Sequence, residues 1–155
     1  WRGVREGVVD SFGTDNVTRT VADKKLDQGM WGSRTGYAVL GTHLPVLIDE
    51  GYHKRGVPLI DIVRRATMSP AKIFGLYPQK GTIQVGSDAD IVILDLEKEQ
   101  RVDPAKIGSS SDFSIFQGKV LKGWPVMTIV NGRVAAEDGH LADQKGNGSY
   151  LFRHL

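Results

Sequence analysis

The nine residues Val8–Asn16, VVDSFGTDN, decide how this chain is read. Val8, Val9 and Phe12 predict a short buried strand, and Gly13-Thr14-Asp15-Asn16 predicts the exit from it. In a parallel sheet or barrel, chemistry sits at the C-terminal ends of the strands, where loops converge on a rigid base. Asp15 would then be a working carboxylate. A second reading makes it a turn residue, because Asp, Asn and Thr hydrogen-bond readily to nearby backbone. From these nine residues, both readings stand.

Upstream, WRGVREG reads as the tail of a helix that feeds the strand. An opening at Trp1 without an initiator Met suggests a piece of something larger. Downstream, Val17–Gly36 is polar and lacks a clean period. A loop of that length is expected to be a lid, with Trp31 as its apolar anchor. From Leu40 to Glu50 the pattern turns helical, with Leu40, Leu44, Leu47 and Ile48 on one face, Thr42 as N-cap and Gly51 as stop. A second helix is predicted from Pro58, with Leu59, Ile62, Val63 and Ala66 as its stripe. A third covers Ala71–Phe74, with Ser69 as cap and Pro70 at its first position.

After Gly75 the grammar changes. Gly81–Val85 alternates as a strand, Gly86-Ser87-Asp88-Ala89 is turn chemistry, and Ile91–Leu94 is an apolar strand. Val126–Val130 and Arg133–Ala136 flank Asn131-Gly132, a pair suited to a type I′ hairpin. Asp138-Gly139 and Gly146-Asn147-Gly148 mark further turns. The sequence thus divides into strand, loop and helices over 1–75 and mostly β structure over 76–155.

Composition narrows the function. Hydrophobic residues make up 40% and charged residues 25% of the 155, a globular balance. Twenty Lys and Arg against 18 Asp and Glu leave a charge of +2, with the signs interleaved, so no basic patch speaks for nucleic acid. No apolar run approaches the roughly 20 residues of a membrane span. With no cysteine, disulfides and thiolate chemistry are excluded. His43, His53, His140 and His154 form no helix-borne metal motif, and Asp88 and Asp90 read as turn residues. The chain therefore offers one candidate carboxylate and no complete constellation.

Several segments together resemble the C-terminal part of a metal-dependent cyclic amidohydrolase of the hydantoinase and dihydropyrimidinase branch. They are GTDN at 13–16, LPVLIDEG at 44–51, SPAKIFGLYPQKGTIQVGSDADIVILD at 69–95, DFSIFQGKVLKGWPVMTIVNGRV at 112–134 and a terminal GNGSYLFR. The resemblance implies an α/β plus β fold: residues 1–75 as the last strand, lid loop and helices of a (β/α)8 TIM barrel, and 76–155 as the C-terminal share of a β-sandwich. It implies that Asp15 binds metal and shuttles a proton. The cofactor would be a divalent metal, two zinc ions in the full-length parent, with most ligands on strands outside this chain. Thr35-Gly36 falls where relatives offer a backbone carbonyl to a substrate ring N–H. Asn16 resembles the S-D-N of dihydropyrimidinases, and Val39 and Gly41 depart from the usual residues after the Thr35-Gly36 position. The partners implied are a small cyclic amide or ureide, the remainder of the parent chain and further copies in a dimer or tetramer, in the cytoplasm. An alternative is a catalytically silent relative kept as an assembly scaffold, as in the dihydropyrimidinase-related proteins. An independent binding module fits poorly, since a lone barrel strand would leave its edges unpaired.

Overall fold

A computed structural model describes residues 1–142, 146 and 148–153. Asn147 and His154, expected in a turn and at the terminus, lie outside the described residues. Six short helices occupy the first half: α1 (Arg2–Arg5), α2 (Val21–Lys24), α3 (Gly29–Gly32), α4 (His43–Val46), α5 (Leu59–Ala66) and α6 (Met68–Ile73). Four strands follow in one antiparallel sheet of order β1-β2-β3-β4: β1 (Ile91–Arg101), β2 (Val120–Val130), β3 (Arg133–Glu137) and β4 (His140–Leu141). No helix among the described residues is long and apolar enough to cross a membrane.

The expected strand at Val8–Phe12 is not formed. Residues 8–20 run without regular secondary structure, and Val8 is 73% exposed. A strand needs a neighbour for its backbone groups, and the four-stranded sheet lies elsewhere. Helix α5 substitutes. The Arg65 Nε donates to the Val9 carbonyl at 2.6 Å, and the Phe12 N–H donates to the Arg65 carbonyl at 3.2 Å. Val9 and Phe12 still pack against the first core, formed by Val4, Leu47, Ile48, Val57 and Ile62.

The predicted continuous helix over 40–50 is three pieces. A 3-10 turn at Leu40–Thr42 leads into α4, which opens into a π-helical turn, Leu47–His53. Thr42 does not cap with its side chain; its buried hydroxyl donates to the Val39 carbonyl at 3.1 Å. Nor does Gly51 stop the helix. It lies inside the π turn, where an added Cβ would fall 2.6 Å from Trp1 Cζ3 and 2.9 Å from Ile62 Cδ1, so the glycine admits close packing. Leu40 is exposed, which removes it from the shared face.

Helix α5 starts after Pro58 as expected and buries Ile62. Helix α6 begins at Met68 after Thr67, so Ser69 and Pro70 fall within its first turn rather than before it. The alternation at Gly81–Val85 forms no strand, and Ile83 and Val85 face outward. Period-two spacing gives the polarity of an extended segment but supplies no hydrogen-bonding partner.

The hairpin is as read. Asn131 and Gly132 both have positive φ, 49° and 75°, the signature of a type I′ turn, and Val130 pairs with Arg133. Asp138 and Gly139, also at positive φ, join β3 to β4. The D-x-D carboxylates do structural work: Asp88 and Asp90 both pair with Lys80, and Asp90 Oδ1 accepts the Asn131 N–H at 2.8 Å.

Helices and sheet are joined through β2. Asp49, 4% exposed, accepts the Lys122 N–H at 3.2 Å and pairs with Lys54 at 2.5 Å. A Cβ on Gly123 (φ 97°) would collide with Ile48, so the strand lies directly on the π turn. Between Asp95 and Glu99 the β1–β2 register shifts, and the displaced Leu96 carbonyl lies 2.8 Å from His53 Nε2. A second core of Val102, Ile107, Leu121 and Trp124 lies under the far end of the sheet, with Val46 against it.

Candidate functional site

Asp15 lies at the end of the extended stretch that Arg65 anchors. It is exposed, and its φ of 47° places it in the left-handed region. It makes no hydrogen bond or ion pair with any described residue. The next residue is tightly held. Asn16 Oδ1 accepts the N–H groups of Val39 (2.9 Å) and Leu40 (3.1 Å), and the Asn16 N–H donates to Thr14 Oγ1 at 3.3 Å. One residue on, the Val17 N–H donates to the Tyr37 carbonyl at 3.2 Å.

These bonds close the base of the 17–36 loop. Thr20 and Asp23 form a reciprocal capping box on α2, and Asp112 Oδ1 accepts the Val21 N–H at 2.8 Å. The Ser111 hydroxyl lies 2.7 Å from the Arg19 carbonyl. The loop is therefore ordered and tied to the 111–113 segment. Its expected anchor is wrong, because Trp31 is 93% exposed. Polar caps do the ordering that an apolar plug was expected to do.

Thr35 is exposed, and Gly36 has a φ of 119° that a side chain rarely tolerates. Its carbonyl accepts Lys24 Nζ at 2.7 Å, leaving one lone pair for another donor. The same strap thus carries Thr35-Gly36 and ends beside Asn16. Beside the strap is a cleft of about 330 Å3 lined by Asn16, Thr18, Leu40, Ile107, Ser109 and Ser110 among others, none of them charged.

Among the described residues, no histidine forms a metal-holding group with Asp15. His53 faces the β1 bulge, His140 is exposed in β4, and burial pushes His43 below the usual imidazole value. Ser111, Asp112 and the clamping role of Asn16 were not foreseen. The only sequence signal for the clamp was an Asn directly after the candidate acid.

The chain thus presents an extended segment that ends in an exposed acid, with a strapped loop and helices beside it. The chain belongs to the amidohydrolase family, whose profile matches residues 1–135. It is 38% identical, over 99% of its length, to an L-hydantoinase of Paenarthrobacter aurescens, covering 34% of that protein. It is 36% identical to a dihydroorotase of Geobacillus thermodenitrificans over 88% of its length, covering 31% of that protein. A solved D-hydantoinase (dihydropyrimidinase) from Thermus sp. superimposes with a TM-score of 0.93 at 30% identity, over 99% of this chain and 34% of that one. The chain thus spans about a third of the length of the curated relatives it matches.

Proteins of this family are generally metal-dependent. Among the described residues, no group of three or more His, Cys, Asp or Glu could hold a metal ion. Asp15 offers a single carboxylate, so the described residues do not by themselves make a metal site.

Proposed function

We propose that the protein carrying this chain hydrolyses a cyclic amide or ureide ring, and that Asp15 is the acid this chain brings to the site. One observation carries the reading: a carboxylate without a partner among the described residues, exposed on a backbone held at Phe12 and at Asn16 and Val17. A buried or ion-paired acid would already be committed. The names of the relatives, hydantoinases and dihydroorotases, supply the substrate class.

In this reading residues 1–75 are the last strand, lid and helices of a TIM barrel, and 76–155 are the C-terminal share of a sandwich. The first segment pairs with no strand of the four-stranded sheet, which suits a strand whose neighbours lie outside this chain. Divalent ions, two zincs in the reading drawn from the resemblance, would lower the pKa of bound water toward neutrality, with Asp15 as one ligand and the others from outside this chain. Asp15 takes up a proton at its carboxylate and returns it to the departing ring nitrogen. The backbone at Thr35-Gly36 accepts a ring N–H, and the uncharged cleft beside Asn16 receives the rest of the ring.

The test is Asp15→Asn in the full-length protein, assayed on hydantoin and dihydrouracil. Removing the base while keeping an oxygen should lower kcat by about 100- to 10,000-fold. Near-normal turnover would remove Asp15 from the reaction. A folded full-length protein with no turnover on any cyclic amide would favour the scaffold reading instead.

A further inference from the structure

Asp15 poses a mechanical problem. Asp enters the left-handed region more readily than most residues, but which way its carboxylate points from there is set by what holds the neighbouring backbone. Gly13 gives no side-chain support upstream, and the Asp15 carboxylate has no partner among the described residues. The constraint comes from the next residue.

Asn16 is half-buried and uses one amide oxygen to accept two consecutive backbone N–H groups, those of Val39 and Leu40. Those donors belong to a rigid stretch: Ala38, Val39 and Thr42 are buried, and the Thr42 N–H and hydroxyl both return to the Val39 carbonyl at 3.1 Å. Val17, immediately after, is paired to Tyr37. The backbone just past Asp15 is thus fastened to the exit of the loop at three points, two of them on a single atom.

We propose that Asn16 is a positioning residue that sets where the Asp15 carboxylate points, by clamping the acid's backbone to residues 39–40. It acts through Asp15, and the inference rests on the reading of Asp15 as the working acid. The chemistry required at position 16 is a short side chain ending in a planar oxygen acceptor. Asp satisfies that requirement and Ala does not. A misplacement of a catalytic group by about 1 Å costs on the order of 100-fold in rate.

The experiment compares Asn16→Ala, Asn16→Asp and Asp15→Asn in the full-length protein, with kcat and KM on hydantoin, Tm for each, and rates normalised to folded protein. Asn16→Ala should lose on the order of 100-fold in kcat with KM changed by less than about threefold, as expected when only the geometry of the reacting group is disturbed. Asn16→Asp should recover most of that loss. Full kcat in folded Asn16→Ala, with only Tm lowered, would reduce Asn16 to a structural residue and overturn the proposal, while an inactive Asp15→Asn would leave the reading of the acid intact. An active Asp15→Asn would instead sink that reading and this inference with it. If Asn16→Ala does not fold, Asn16→Asp decides alone: kcat within about fivefold of the unaltered protein supports the clamp, and a loss on the order of 100-fold overturns it.

Discussion

Glu50 shows how single residues bind the helical half to itself. Its carboxylate accepts Lys54 Nζ at 2.9 Å and also pairs with Arg55. Lys54 first, and then Arg55, hold its pKa below the ordinary 4.5. A carboxyl whose pKa falls on folding stabilises the folded state above its unfolded value and loses that contribution as pH drops through the folded value. In the full-length protein, the Tm deficit of Glu50→Gln should therefore hold steady from neutral pH to about 5 and shrink below it. Screening by solvent limits the contribution to about 0.5 kcal/mol. A deficit unchanged at pH 3 would show that the ion pairs are not its source. At this scale the sequence was partly readable. Asn131-Gly132 announced its turn because the required backbone conformation admits few residue types. Asp15 was singled out, but its left-handed φ and its lack of a partner among the described residues were not, since neither leaves a mark in composition. Gly51 was misread because a glycine that ends a helix and one that admits a neighbouring Trp look alike in one dimension.

Among elements, the 17–36 strap separates what pattern reveals from what only contacts reveal. Its length and polarity marked it as a loop with a role. Its apolar Trp31 drew attention to the wrong anchor, because the tie is made by Asp112, some 90 residues away. Helix α2 has a single turn and depends on its caps, each worth about 1 kcal/mol. Asp112→Ala should accordingly speed amide hydrogen exchange at residues 21–24 about fivefold while leaving β2 amides unchanged, measured by mass spectrometry on the full-length protein. Unchanged exchange at those amides would mean that the Thr20–Asp23 box suffices. The stretches over 8–12 and 81–85 failed as strands for one shared reason. Alternating apolar residues specify a face, and whether a strand exists depends on a partner that local sequence cannot name. The helical character over 40–50 was legible, but not its break into three pieces or its run through Gly51 to His53, in a π turn against which β2 packs at Ile48.

For the molecule as a whole, the accessible surface is 10,329 Å2. A compact monomer of 17.0 kDa would expose roughly 7,700 Å2. The excess coincides with large apolar side chains left outside, among them Trp31, Ile83, Val85 and Leu141. Two cores of five and four buried residues are small supports for such an area. Produced without further sequence, the chain should associate or precipitate, while the full-length protein should run as one defined species on size-exclusion chromatography with light scattering. A well-behaved monomer with a sharp thermal transition would overturn that expectation. The pinned ends of the strap have a further consequence. Because Asn16, Val17 and Tyr37 hold them side by side, the stretch between them can be lengthened at slight entropic cost, about 0.6 kcal/mol per doubling. Added length fits best over 26–32, between the ties at Arg19–Lys24 and the backbone at Thr35-Gly36.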